Sequence, residues 1–160
     1  MATELTAGTL TVTLTEALTI THATTADNRS HNQTITASFS AIDNIDTRVL
    51  TLSTTAETTV ATLGAAEGLG LYVRSSVKYI RITNLDNTVG NFILVGIKDD
   101  GGDTAYFKIP GDNASFILAD TGVEANTSGA AFSALSNVDS IILKANATGT
   151  QCEIVVATTD

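Results

Sequence analysis

Branched apolar residues alternate strictly with threonine in Leu10-Thr11-Val12-Thr13-Leu14-Thr15, and again in Leu18-Thr19-Ile20-Thr21. Successive side chains on a strand point to opposite faces. This period of two therefore sets Leu10, Val12 and Leu14 in one apolar row and Thr11, Thr13 and Thr15 in a polar one. The first row is expected to build a core and the second to meet water. Comparable runs recur at 9–14, 17–21, 33–39, 48–52, 58–63, 77–85, 91–98, 105–109, 115–118, 138–145 and 151–158, bounded by Gly, Asn or Asp clusters that favour turns. The competing helical segments, 43–46, 55–59 and 130–135, are too short or too threonine-rich to propagate unaided. About eight to eleven short strands with antiparallel turn signals predict an all-β fold with little helix, an antiparallel β-sandwich or jelly roll.

One strand breaks the alternation. Phe92-Ile93-Leu94-Val95-Gly96-Ile97 is apolar on both faces, as a strand covered from two sides would be. A two-sheet sandwich leaves its outer faces open, so this run predicts a further covering layer, from a long loop or from a partner subunit, and hence a homo-oligomer.

Composition divides the chain unevenly. Of 28 threonines, 19 precede Gly64 and 9 follow it, while all three tyrosines lie beyond it. Residues 64–70, rich in Gly and Ala, read as a long loop or hinge inside a single 1–160 domain, since the strands on the first side alone would make a meagre core. Strand exchange of that first segment with a neighbouring subunit is the other reading. Residues 1–8 read as a flexible N-terminal arm. A chain of 160 residues buries roughly 70% of its extended-chain surface on folding, enough for a core without staples.

Charge narrows the partners. Eight basic against seventeen acidic residues give a formal net charge of −9, a field that repels phosphate backbones and anionic bilayers; neither nucleic acid nor membrane is expected as a partner. The opening residues carry neither a basic region nor a continuous apolar run, so no secretory signal is expected, and no apolar run approaches the ~20 residues of a membrane span. Cys152 is the only cysteine, sharing a strand face with Ile154 and Val156, where a thiol packs as a small apolar group.

Reactive constellations are sparse. His22 and His31 flank a polar stretch containing Asp27, a conceivable imidazole and carboxylate metal site, but two histidines without the clustered spacing of zinc ligands make a poor case and read instead as exposed loop residues. Asp99, Asp100 and Asp103 surround Gly101 and Gly102. Oxygen-rich acidic loops suit calcium, whereas the same residues form an ordinary hairpin turn, and the glutamate ending an EF-hand loop is missing. No Gly-x-Ser-x-Gly elbow, P-loop lysine or Gly-x-Gly-x-x-Gly run is present. No catalytic, cofactor-binding or metal residues are assigned, and no enzyme is expected.

Three segments, Val77-Lys78-Tyr79-Ile80-Arg81-Ile82-Thr83-Asn84, Phe107-Lys108-Ile109-Pro110-Gly111 and Val138-Asp139-Ser140-Ile141-Ile142-Leu143-Lys144-Ala145 with the strand that ends the chain, resemble small β-sandwich structural proteins of tailed-bacteriophage virions, most of all capsid decoration (cement) proteins. The resemblance spans about half the chain, mainly 77–160. It implies a non-enzymatic protein that folds in the host cytoplasm, binds the major capsid protein on the outside of the head, often as a homotrimer, and stabilises contacts between capsid subunits. The alternative is a tail or fibre-associated module that binds host-surface carbohydrate; with no Trp and only Tyr72, Tyr79 and Tyr106, the chain has few aromatic platforms for sugar rings.

Overall fold

The structure is a computed structural model that describes residues 7–20, 29–66, 68, 70–119, 135 and 138–159. Eleven strands are present among them: β1 (Gly8–Ile20), β2 (Arg29–Ile42), β3 (Asn44–Thr51), β4 (Thr58–Gly64), β5 (Tyr72–Val73), β6 (Val77–Asn84), β7 (Phe92–Asp99), β8 (Thr104–Pro110), β9 (Ser115–Ala119), β10 (Val138–Ala145) and β11 (Gln151–Thr158). A single 3-10 turn, Arg74–Ser76, is the only helical element among the described residues. The all-β, sandwich-like architecture expected from the alternation is therefore what forms.

Two sheets make the sandwich, in the orders β5-β4-β10-β7-β8 and β3-β11-β6-β9. All pairings are antiparallel except the short parallel β4–β5 contact. The inward rows come from alternate residues: Ile93, Val95 and Ile97 on β7, Ile141 and Leu143 on β10, Ile80 and Ile82 on β6, Cys152, Ile154 and Val156 on β11. Each is at most 1% exposed, and burying a side chain of this size contributes about 1.5–3 kcal/mol.

Each open side of the sandwich has its own closure. On one, the rings of Phe107 (β8) and Phe116 (β9) meet with centroids 5.1 Å apart. On the other, Arg48 of β3 reaches the opposite sheet, its Nη2 donating to the Val60 carbonyl at 2.8 Å and to the Tyr72 hydroxyl at 3.0 Å. β5 lies parallel beside β4: Leu71 N donates to Thr62 Oγ1 at 2.8 Å, and a Cβ on Gly70 would lie 2.6 Å from Gly64 N.

The third sheet is the β1–β2 hairpin alone, a ribbon whose register pairs Leu10 with Phe39, Val12 with Ala37, Leu14 with Ile35 and Leu18 with His31. The runs at 9–14 and 17–21, expected as two strands, form one over residues 9–20, since the pairing with β2 carries the ladder through Thr15 and Glu16; residue 21 lies outside the described residues. Segment 43–46, judged too short for a helix, is extended: Asn44 to Asp46 pair with Thr158 to Val156 of β11. In segment 55–59, residues 55–57 bend into β4 and Thr58 and Thr59 begin it, and 130–134 lies outside the described residues. Residues 1–6, at the expected N-terminal arm, also lie outside them.

Candidate functional site: the ribbon and the face beneath it

A strand that switches sheets needs a local bend. β2 runs into β3 with only Asp43 between them, and Ala41 takes a left-handed φ of 58°. A register irregularity between Gly8 and Leu10 falls on the facing strand. Bulges and left-handed residues turn a strand's direction, and here they fold the ribbon base onto the outer face of the four-stranded sheet. Phe39 and Ile42 are buried there against Tyr79, Ala119 and Ala157, with Leu10, Val12, Ala37 and Val155 half-buried around them. The Phe39 and Tyr79 rings sit 5.6 Å apart at 50°. The covering layer expected over one sheet exists, but it covers the β6 and β11 side rather than β7.

The strand at 92–97 is apolar on both faces for another reason. Its outward residue Gly96 lies opposite Ile142 of β10 and Tyr106 of β8, and Tyr106 donates its hydroxyl to Glu57 Oε1 at 2.5 Å. Tyr106 thus covers Gly96, while the other outward residues, Phe92 and Leu94, stay half-buried, Phe92 beneath Lys108 Nζ at 4.4 Å from its ring centroid.

Along the ribbon, burial stops at Val12 and Ala37. Beyond them Leu14, Leu18 and Ile35 are 55%, 53% and 48% exposed, although they continue the same apolar row. The expectation that Leu10, Val12 and Leu14 build a core thus holds only for the first two, because the ribbon outruns the sheet below it. On the opposite ribbon face Thr11, Thr13 and Thr15 lie across from Ser38, Thr36 and Thr34, all exposed, as the alternation predicted. The ribbon's Glu16 and His31 approach to 3.8 Å.

The outer face of the four-stranded sheet is likewise only partly covered. Val49 and Ile117 stand 56% and 39% exposed, on either side of Val155 and the ion-paired Arg81 and Glu153. A cleft lined by Leu10, Val12, Tyr79, Arg81 and Val155 opens where the ribbon lifts away.

A second candidate is a groove of about 520 Å³ lined by Asn44, Ile45, Asp46, Leu71, Tyr72 and Thr158 among others. Its chemistry is occupied internally: Tyr72 donates to Asp46, and Arg48 Nε lies 3.1 Å from the same carboxylate. Burial first, and then the bond to Asp46, push the Tyr72 phenol up to about 12, so it serves as a donor and not as a base at neutral pH.

A third is the loop end around Asp86. Its carboxylate accepts Thr88 N and Asn91 Nδ2, both at 2.8 Å, and Thr150 Oγ1 at 3.1 Å, which hold it down at about 2. Buried Asn84 accepts Asp86 N and donates to the Ile109 carbonyl. This knot braces the turn that displays Val89, wholly exposed. Nothing in the sequence reading marked Asp86; an Asx residue bonding the backbone two positions on was the available signal.

The acidic turn is a hairpin. Asp99 Oδ1 accepts Asp103 N at 2.8 Å, and Asp99 N donates to the Asp103 carbonyl at 3.0 Å. Among the described residues no three His, Cys, Asp or Glu side chains converge as a metal would require. His22 and Asp27 lie outside those residues. Cys152 is fully buried among Ile154 and Val156, and burial pushes its thiol up to about 11. No helix among the described residues is long and apolar enough to cross a membrane. Compared with known protein families, curated proteins and solved structures, the chain finds no match.

Proposed function

We propose that this chain is a non-enzymatic structural protein of a tailed-bacteriophage virion, a decoration protein that binds the major capsid protein on the head exterior and stabilises contacts between capsid subunits. The observation that carries the reading is the ribbon: a projecting two-stranded arm whose Leu14, Leu18 and Ile35 stay uncovered past its base, with Glu16, Gln33 and His31 between and beside them, is a surface for a protein neighbour and not for a small solute. The resemblance of 77–160 supplies the class of particle. The acidic balance suits an exterior position away from packaged DNA.

Purified protein mixed with expanded phage heads should co-sediment with them and raise their resistance to heat or dilution. Binding to tails instead of heads would sink the assignment. The second reading, a tail or fibre module for host-surface carbohydrate, draws support from the groove at Asp46 and Tyr72, whose Asn, Asp and Thr side chains offer hydrogen bonds to sugar hydroxyls. A glycan array separates the two.

A further inference from the structure

We infer that the distal ribbon of one copy seats on the uncovered outer sheet face of a second copy, so that the chain self-associates head to tail. The inference rests on the reading above in taking the uncovered ribbon as a protein-contact surface and assigns it to a second copy; head binding without self-association, or the reverse, tells the two apart.

Three observations carry it. The contact is already half made within one chain: Leu10, Val12, Ala37 and Phe39 of the ribbon pack on Tyr79, Val155 and Ala157 of the sheet. Both partners in that contact then run on uncovered. The ribbon continues through Leu14, Leu18 and Ile35, with Glu16 and Gln33 between them, and the sheet face continues through Val49 and Ile117 on either side of the Arg81 and Glu153 pair. The ribbon extends away from the sheet, so its distal row does not cover the remaining face of its own chain. A neighbouring copy supplies the missing half of each.

The packing within one chain selects the second copy as occupant, since the face offered is the one this ribbon already rests on, and local charge permits it. Copies that each carry −9 repel wherever their acidic surfaces meet. The two strands of the ribbon hold one acidic residue, Glu16, and one arginine, Arg29; the sheet face carries the internally paired Arg81 and Glu153. These are electrically balanced regions in an otherwise acidic chain. An isolated two-stranded ribbon is also marginal in water, so a third layer stabilises its outer half. Because ribbon and receiving face are different surfaces, the contact is heterologous, and a rotation that closes generates a ring.

The test uses the full chain in light scattering after size exclusion. Wild type should be oligomeric at tens of micromolar; a monomer there overturns the inference. Leu14→Asp with Ile35→Asp spoils the ribbon, and Val49→Asp with Ile117→Asp spoils the face. Each variant alone should be monomeric, its association weakened by about 100-fold or more, while melting as a folded protein. Mixed together they should form a one-to-one heterodimer, since each retains the half that the other lacks. Persistent oligomers of the face variant, or no recovery on mixing, would overturn it. If either variant fails to fold, Leu14→Cys with Val49→Cys replaces it: oxidation should give chains linked between copies, and unlinked chains count against the inference.

Discussion

Gly96 and Ile142 face each other on the outer surface of the five-stranded sheet, so closely that a Cβ on Gly96 would lie 2.6 Å from Ile142 Cγ1 and 3.0 Å from the Tyr106 ring. The glycine is there for contact, since Tyr106 must pass over it to reach Glu57. Gly96→Ala should therefore push Ile142 or Tyr106 out of place and cost about 1–3 kcal/mol, read from urea unfolding midpoints. An unchanged midpoint would mean that the outer face is loosely packed.

Arg48 ties β3 to the opposite sheet through the Val60 carbonyl and Tyr72. Arg48→Ala leaves a part-buried carbonyl and the Asp46 carboxylate without that partner. A loss of about 1–3 kcal/mol is expected in chemical denaturation.

Tyr72 should show itself in alkali. Its phenol is pushed up to about 12 in the fold, whereas unfolded tyrosines titrate near 10. The folded state thus keeps a proton that the unfolded chain releases, and stability falls as pH rises from about 10 to about 12. The stability difference between wild type and Tyr72→Phe should shrink across that window. A constant difference would place the titration elsewhere.

Asp86 works at the acid end. Its carboxyl, held at about 2, contributes stability that is fully present above the unfolded value near 4 and lost as pH falls through about 2. Asp86→Asn should be less stable than wild type at pH 6, with the gap narrowing between pH 4 and pH 2 in thermal melts.

Cys152 is 0% exposed and lies in the core with Ile154 and Val156. It should resist a thiol reagent in the native protein and react at once in denaturant, since only an exposed thiolate attacks. Rapid labelling of the native protein would contradict that burial.

Much of this fold was legible from the chain, and the exceptions share a cause. Strands 138–145 and 151–158 were read with the bounds they have, because alternation and flanking turn residues act within a few positions. The break assumed at Thr15 and Glu16 failed because their pairing with Thr34 and Gln33 is decided by a strand distant in sequence. The Asp86 knot takes Thr88 and Asn91 from its own loop but Thr150 from the loop between β10 and β11, so no local window contains all of it.

The sequence alone determined the β character, the wetted threonine row and the inward set of the final strand, since these follow from a side-chain period of two. Tertiary structure decided which apolar row finds a partner. Leu10 and Leu14 have the same neighbours in sequence, yet one packs beneath Phe39 beside Tyr79 and the other stands in water. The difference is where the ribbon leaves the sheet, which depends on the bend at Ala41 and on the extent of the surface beneath.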